Sequence, residues 1–182
     1  MMEKKLELIS SVEIMNTLMK KQRFIVDGMI YPGLHILSGD PKVGKSWMML
    51  DMCLAVAKGE EFLGRKTEQG QVVYMALEDT FISLQSRMYE LTDEPSKNLS
   101  FALMANSIGN GLEEDLQECK KQFPNLKMIV IDTLQKIRNT IYSKYGSDYK
   151  ELSTLKKLPT ALESLLFLYI TTEKRMTQIQ TT

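Results

Sequence analysis

At 182 residues, with 43% hydrophobic and 25% charged residues, the chain has the size and composition of one soluble globular domain, which excludes a disordered or fibrous protein. Its 23 Lys and Arg residues are balanced by 23 Asp and Glu residues, so no overall positive field would attract nucleic acid or an anionic membrane. Any contact with DNA must therefore be local.

The cysteines and the distribution of apolar residues predict a cytoplasmic protein. Cys53 and Cys119 lie far apart and form no metal-binding or redox motif, which indicates reduced thiols in the core. Charged residues interrupt residues 1–23 too often for a signal peptide, and no window approaches the roughly 18 uninterrupted apolar residues of a membrane span. We therefore expect no contact with a membrane.

The first part of the chain predicts a short helix, a strand and a buried helix. Apolar residues recur at helical spacing over 11–20 behind a serine N-cap, and residues 1–21 are interpreted as a helical lead-in. An extended segment at 24–33 ends in a Pro-Gly turn that delivers the chain into an apolar strand at 34–38. Residues 45–57 are apolar almost all round, which is typical of a helix packed on a sheet.

Strands and helices alternate through the rest of the chain. The predicted strands are 71–78, 99–104, 127–132 and 165–172, and the predicted helices between them are 80–91, 111–122 and 148–158. A polar, tyrosine-rich stretch at 139–150 predicts a loop. This alternation implies βαβ units and a mainly parallel sheet with helices on both faces. The predicted fold class is therefore α/β, with residues 22–182 as one domain.

The segment GDPKVGKS fits the phosphate-loop pattern G-x-x-x-x-G-K-S and lies between a predicted strand and a predicted helix. Its two glycines let the backbone turn several amide N–H groups toward phosphate oxygens, and the helix N-terminus adds positive charge. Lys45 supplies a charge for the β and γ phosphates, and the hydroxyl of Ser46 is a ligand for Mg²⁺. A chance match is disfavoured because strand, loop and helix agree. The residues predicted to bind ATP are Gly39, Asp40, Pro41, Lys42, Val43, Gly44, Lys45 and Ser46.

Two carboxylates follow predicted strands, at the edge of the sheet where open α/β proteins bind their ligands. Asp132 closes the strand at 127–132, and we expect it to hold Mg²⁺ directly or through water. The alternative is that Asp132 only caps the next helix. Glu78 ends the strand at 71–78, and we expect it to orient and deprotonate the attacking water. Because Glu78 and Asp79 also form a good helix start, that alternative stays open.

These segments together resemble a known family. The runs YPGLHILSGDPKVGKS, QGQVVYMALEDT and LKMIVIDTLQKIR, with Arg87 nine residues after Glu78, are similar to RecA-like ATPases of the RepA hexameric replicative-helicase type, found in plasmids, phages and mobile elements. The resemblance covers residues 22–158. It implies ATP and Mg²⁺ as cofactors, Glu78 and Lys45 as catalytic residues and Asp132 at the metal. It also implies a hexameric ring with ATP between subunits and single-stranded DNA in its centre.

The chain departs from the pattern of this family after residue 158. The family continues with an apolar strand that ends in His or Gln, and later with an arginine finger, whereas the strand predicted here ends in Thr171 and Thr172. In a shifted reading frame, permissible codons for 159–178 can spell the segment that the family leads us to expect. We therefore expect a frameshift near Pro159 and a C-terminally truncated product. Loss of an arginine finger costs about 10³ or more in rate, so ATP binding should survive better than turnover.

Three functions follow from the sequence. The first is a helicase or replication ATPase that acts on single-stranded DNA, and Lys136, Arg138, Lys144 and Lys150, interleaved with tyrosines, suit such binding. A mobile solvated loop explains that stretch equally well. The second is a RecA- or KaiC-like regulatory ATPase without unwinding activity. The third is a truncated ATP-binding module with little turnover.

Overall fold

The computed structural model describes residues 8–18 and 23–138, and the backbone of 166–172. The helices are α1 (Ser11–Asn16), α2 (Lys45–Lys58), α3 (Phe81–Leu91), α4 (Leu112–Gln122) and α5 (Leu134–Ile137). The strands are β1 (Gly33–Gly39), β2 (Gln71–Ala76), β3 (Leu99–Ala102), β4 (Leu126–Asp132) and β5 (Leu166–Thr172). The predicted loop at 139–150, the predicted helix at 148–158 and the expected frameshift position lie outside the described residues.

The five strands form one parallel sheet in the order β1-β5-β4-β2-β3. The last predicted strand is confirmed, and it lies between β1 and β4. Its register sets Thr172 beside Gly39 and Ile170 beside Asp132. The start of the phosphate loop and the predicted metal-binding aspartate are therefore at the same carboxyl edge of the sheet, where α/β folds bind ligands.

Both faces of the sheet are covered, as the alternation of predicted elements implies. Side chains alternate between the two faces along each central strand, with a period of two residues. On β4, Met128 and Val130 join the cluster packed under α2, whereas Ile129 and Ile131 join the cluster packed under α4. Burial on both faces explains why the central strands are continuous apolar runs.

Helix α2 has the all-round burial that its sequence predicts. Most of its side chains from Met49 to Ala57 are buried, and both of its ends have glycines with left-handed backbone. Gly44 has φ +88° at the N-terminal end, and Gly59 has φ +78° at the C-terminal end, where its amide donates to the carbonyl of Ala55. No helix in the described part of the chain is long and apolar enough to cross a membrane.

Three predicted boundaries are wrong by a few residues. The leading helix ends at Asn16, because Thr17 takes extended backbone and its hydroxyl donates to the carbonyl of Glu13. Strand β2 ends at Ala76, where the amide of Asp79 turns back to the Ala76 carbonyl. Strand β3 ends at Ala102, which pairs with Met75, so little of β2 remains for it to pair with.

The segment predicted to be extended at 24–33 instead contains a tight turn. The backbone of Val26 pairs with that of Ile30, and Gly28 between them has φ +63°. A side-chain network fixes this segment to the sheet. The carboxylate of Glu68 accepts hydrogen bonds from Arg23, with Nε at 2.6 Å, and from Nζ of Lys127 on β4, at 2.8 Å.

Candidate functional site

The loop between β1 and α2 has the backbone of an anion-binding turn. Lys42 and Gly44 take left-handed conformations, with φ +65° and φ +88°, on either side of Val43. Alternation of left- and right-handed residues turns successive amide groups toward one side and forms a concavity for anions. A non-glycine residue with positive φ is costly, and such strain is concentrated at functional sites. The predicted phosphate loop therefore has the geometry that its role requires.

Lys45 lies inside this loop. Its side chain is buried, and its ammonium group donates to the backbone carbonyls of Gly39, at 2.7 Å, and Asp40, at 2.6 Å. A buried charge needs such partners, and here they come from the loop itself. The other predicted ATP-binding residues surround it. Asp40, Pro41, Lys42 and Val43 are exposed, and Gly39, Gly44 and Ser46 are half-buried.

Asp132 ends β4 and is buried, with 7% of its surface exposed. Its side chain projects to the α2 face of the sheet, in step with Met128 and Val130. Its Oδ2 atom accepts a hydrogen bond of 2.7 Å from the hydroxyl of Tyr74. The N-cap residue of α5 is Thr133, so the alternative role of Asp132 as a helix cap is not what the structure shows. The peptide bond between Asp132 and Thr133 is cis.

Tyr74 was not singled out from the sequence. It lies in the middle of β2 with 1% of its surface exposed, and burial, followed by the charge of Asp132, raises its pKa far above the ordinary value. The hydroxyl therefore stays protonated and remains a hydrogen-bond donor. The signal was present in the run VVYMA, because a tyrosine in a buried strand needs a polar partner for its hydroxyl.

Glu78 lies in the turn after β2 and is exposed. In the described part of the chain, no hydrogen bond or ion pair reaches its carboxylate. The neighbouring Asp79 differs, since it accepts from the Ser83 hydroxyl at 3.1 Å and from Arg87 at 2.8 Å. The N-cap of α3 is Thr80, which accepts from the amide of Ser83. The helix-start role thus belongs to Asp79 and Thr80, and Glu78 is the carboxylate left for solvent.

A side-chain bridge connects α3 to the first turn of α2. The guanidinium of Arg87 forms its ion pair with Asp79 and lies 5.9 Å from the centroid of the Trp47 ring, a cation–π distance. Trp47 directly follows Ser46 in the sequence. The turn that carries Glu78 is therefore tied to the helix that begins at the phosphate loop.

Ser46 and Asp132 offer one hydroxyl and one carboxylate at the same edge of the sheet. Mg²⁺ prefers oxygen ligands and is usually bound by one or two protein groups, with phosphate and water completing its octahedron. The Oδ1 atom of buried Asp132 receives no hydrogen bond from any residue in the described ranges, although buried polar atoms are normally paired. This donor set fits Mg²⁺.

The comparisons with known proteins agree with this geometry. A family model described as an AAA domain matches residues 4–152, which include the phosphate loop, Glu78 and Asp132. No curated protein matches the sequence.

Among 158 solved chains that match, one is the ATPase domain of a DnaB-type helicase, with 14% identity and a TM-score of 0.55. The match covers 76% of this chain and 57% of that chain, so this chain spans little more than half of its neighbour. At such low identity the match speaks for the fold, which is that of RecA-like ATPase domains. Because the family model covers most of the sequence, the chain belongs to the AAA domain family of P-loop ATPases.

Proposed function

We propose that this protein binds ATP together with Mg²⁺ and hydrolyses it. The observation that carries the proposal is the buried ammonium of Lys45, held by the carbonyls of its own loop. The sheet register sets Asp132 at the same edge as the start of this loop. A preformed loop with an enclosed cation needs little reorganisation to accept a polyphosphate, which is the condition for electrostatic stabilisation of phosphoryl transfer.

Each residue of the site has a separate task in this proposal. The loop amides and the N-terminus of α2 bind the phosphates, and Lys45 moves from its two carbonyls to the β and γ phosphate oxygens. Ser46 and Asp132 hold Mg²⁺, which supplies neutralisation of the phosphate charge when it is bound. Glu78 accepts a proton from the attacking water, a role for which a solvent-facing carboxylate without other partners is suited.

We further propose that the ATPase is a RepA-type helicase or replication ATPase that acts on single-stranded DNA as a homo-oligomer, a hexamer in the family it resembles. Membership of the AAA domain family and the fold shared with the ATPase domain of the DnaB-type helicase support this assignment. The alternatives remain a regulatory ATPase without unwinding activity and an ATP-binding module with little turnover. A cytoplasmic location belongs to the same proposal, since Cys53 and Cys119 are both free thiols.

ATP hydrolysis by the purified protein, with and without single-stranded DNA, tests the proposal. Lys45→Ala should abolish ATP binding, whereas Glu78→Gln should keep binding and lower turnover by about 10² or more. Lys97→Ala and Glu90→Gln, at exposed positions without ion pairs in the described part of the chain, are the matched controls. Binding can be followed by the fluorescence of Trp47, the only tryptophan.

Each outcome selects one of the three functions. Turnover that DNA stimulates and that both site variants abolish supports the motor. Turnover that DNA leaves unchanged supports the regulatory ATPase. Binding of Mg-ATP without turnover supports the binding module, and a wild-type protein that does not bind ATP contradicts the whole proposal.

A further inference from the structure

The hydrogen bond between Tyr74 and Asp132 is a second layer of the nucleotide site. The tyrosine hydroxyl donates to Oδ2 at 2.7 Å, and both side chains are buried. A hydrogen bond to a charged acceptor is stronger than one between neutral groups, and one within a buried environment is less screened by water. The contact therefore restrains the carboxylate rather than merely satisfying the hydroxyl.

The sheet register explains why these two residues meet. Ala76 lies opposite Asp132 and Tyr74 opposite Val130, so the tyrosine and the aspartate are diagonal neighbours on the α2 face. The aromatic ring is fixed in turn by its packing, with the ring of Phe101 tilted at 59° and its centroid 6.0 Å away. The hydroxyl is thus delivered to the carboxylate from a rigid strand and not from a loop.

The hydrogen bond occupies only one of the two carboxylate oxygens. Oδ2 is engaged by Tyr74, whereas no hydrogen bond within the described residues reaches Oδ1. A carboxylate held in this way keeps a fixed orientation and presents one defined oxygen. Groups that orient a metal-binding side chain through its second acceptor affect metal affinity strongly even though they never touch the metal.

We propose that Tyr74 is a positioning residue for Asp132, holding Oδ2 so that Oδ1 is presented to Mg²⁺ or to a water bound to it. This inference rests on the proposed ATPase function. A core tyrosine with only a packing role would satisfy its hydroxyl at any nearby carbonyl, and its loss would affect folding and all ligands alike. A positioning role predicts a defect that is specific to the metal.

Tyr74→Phe removes the hydroxyl and keeps the ring. Calorimetric titration of the non-hydrolysable analogue AMP-PNP, first in EDTA and then over a range of Mg²⁺ concentrations, separates nucleotide affinity from metal affinity. The variant should require about tenfold or more Mg²⁺ for half-maximal effect, with its affinity in EDTA within about twofold of the wild type. Tyr89→Phe, at an exposed position on α3, is the control and should match the wild type.

The double variant with Asp132→Asn provides a readout that a structural role would not move. If Tyr74 acts through Asp132, adding Tyr74→Phe to Asp132→Asn should cause no further loss of Mg²⁺ dependence. Additive losses would overturn the inference. A Tyr74→Phe variant with the wild-type Mg²⁺ midpoint would also overturn it while leaving the proposed function intact. A wild-type protein whose AMP-PNP affinity ignores Mg²⁺ would overturn both.

A variant that keeps the hydroxyl covers the case in which Tyr74→Phe does not fold. With 3-fluorotyrosine at position 74, the ¹⁹F resonance should shift during the Mg²⁺ titration, with the midpoint seen by calorimetry. A resonance that stays unchanged while Mg²⁺ binds would show that Tyr74 does not sense the metal site, and the inference would be wrong.

Discussion

Glu68→Gln should lower the free energy of unfolding in a pH-dependent way. Hydrogen bonds from Arg23, and less from Lys127, lower the pKa of the Glu68 carboxyl from 4.5 to about 2. Full linkage would give roughly 3 kcal/mol, and screening by water around a side chain that is 29% exposed reduces this to about 1 to 2 kcal/mol. Because the folded-state pKa is lowered, this stabilisation is present above the unfolded-state pKa and is lost as the pH falls toward 2.

Urea unfolding followed by circular dichroism measures the difference between the wild type and the variant. The difference should be largest near pH 7 and should shrink below about pH 4.5, as the carboxyl becomes protonated in the unfolded state. Glu61→Gln, at an exposed neighbouring position, is the control and should show little difference at any pH. A gap that is constant with pH, or no gap at neutral pH, would refute the reasoning from the ion-pair network.

Three further predictions concern the brace, the loop and the core. Arg87→Ala removes the contacts with Asp79 and Trp47, so steady-state kinetics should show turnover reduced roughly tenfold or more with ATP binding nearly unchanged; an unchanged kcat would contradict a positioning role for the brace. Gly44→Ala, at φ +88°, should cost about 1 kcal/mol or more in unfolding free energy, because left-handed backbone penalises a Cβ; equal urea midpoints would exclude this strain. Leu116→Ala, at a fully buried position on α4, should cost about 2 to 5 kcal/mol in the same assay, and a loss below about 1 kcal/mol would mean that this face is poorly packed.

Local patterns predicted much of this architecture. The phosphate loop was recognisable because its glycines, lysine and serine stand between a strand and a helix, and each type is required by its chemistry. The strands β2 and β4 were recognisable as apolar runs of strand length between turn signals. Asp132 followed from its place at the end of such a run. These are features in which one stretch of chain contains its own explanation.

Features that depend on pairing between distant segments could not be predicted. The insertion of β5 between β1 and β4 is a property of the sheet and has no signal in any one strand. The contact of Tyr74 with Asp132 depends on the register of β2 against β4. The choice between Glu78 and Asp79 as the free carboxylate depended on Arg87, which lies a helix away. The ends of β2 and β3 were missed for the same reason, because a ladder stops where its partner stops.

The strand order also has a consequence for how the protein is made. Among the described strands, β1 has β5 as its one neighbour, and Gly33 at the start of β1 pairs with Leu166. During synthesis the phosphate loop leaves the ribosome long before its strand has anything to pair with. Closing such a long loop is slow relative to local folding. A nascent chain should therefore gain affinity for nucleotide only after residues 166–172 have emerged, and a stalled chain that stops short of them should lack it.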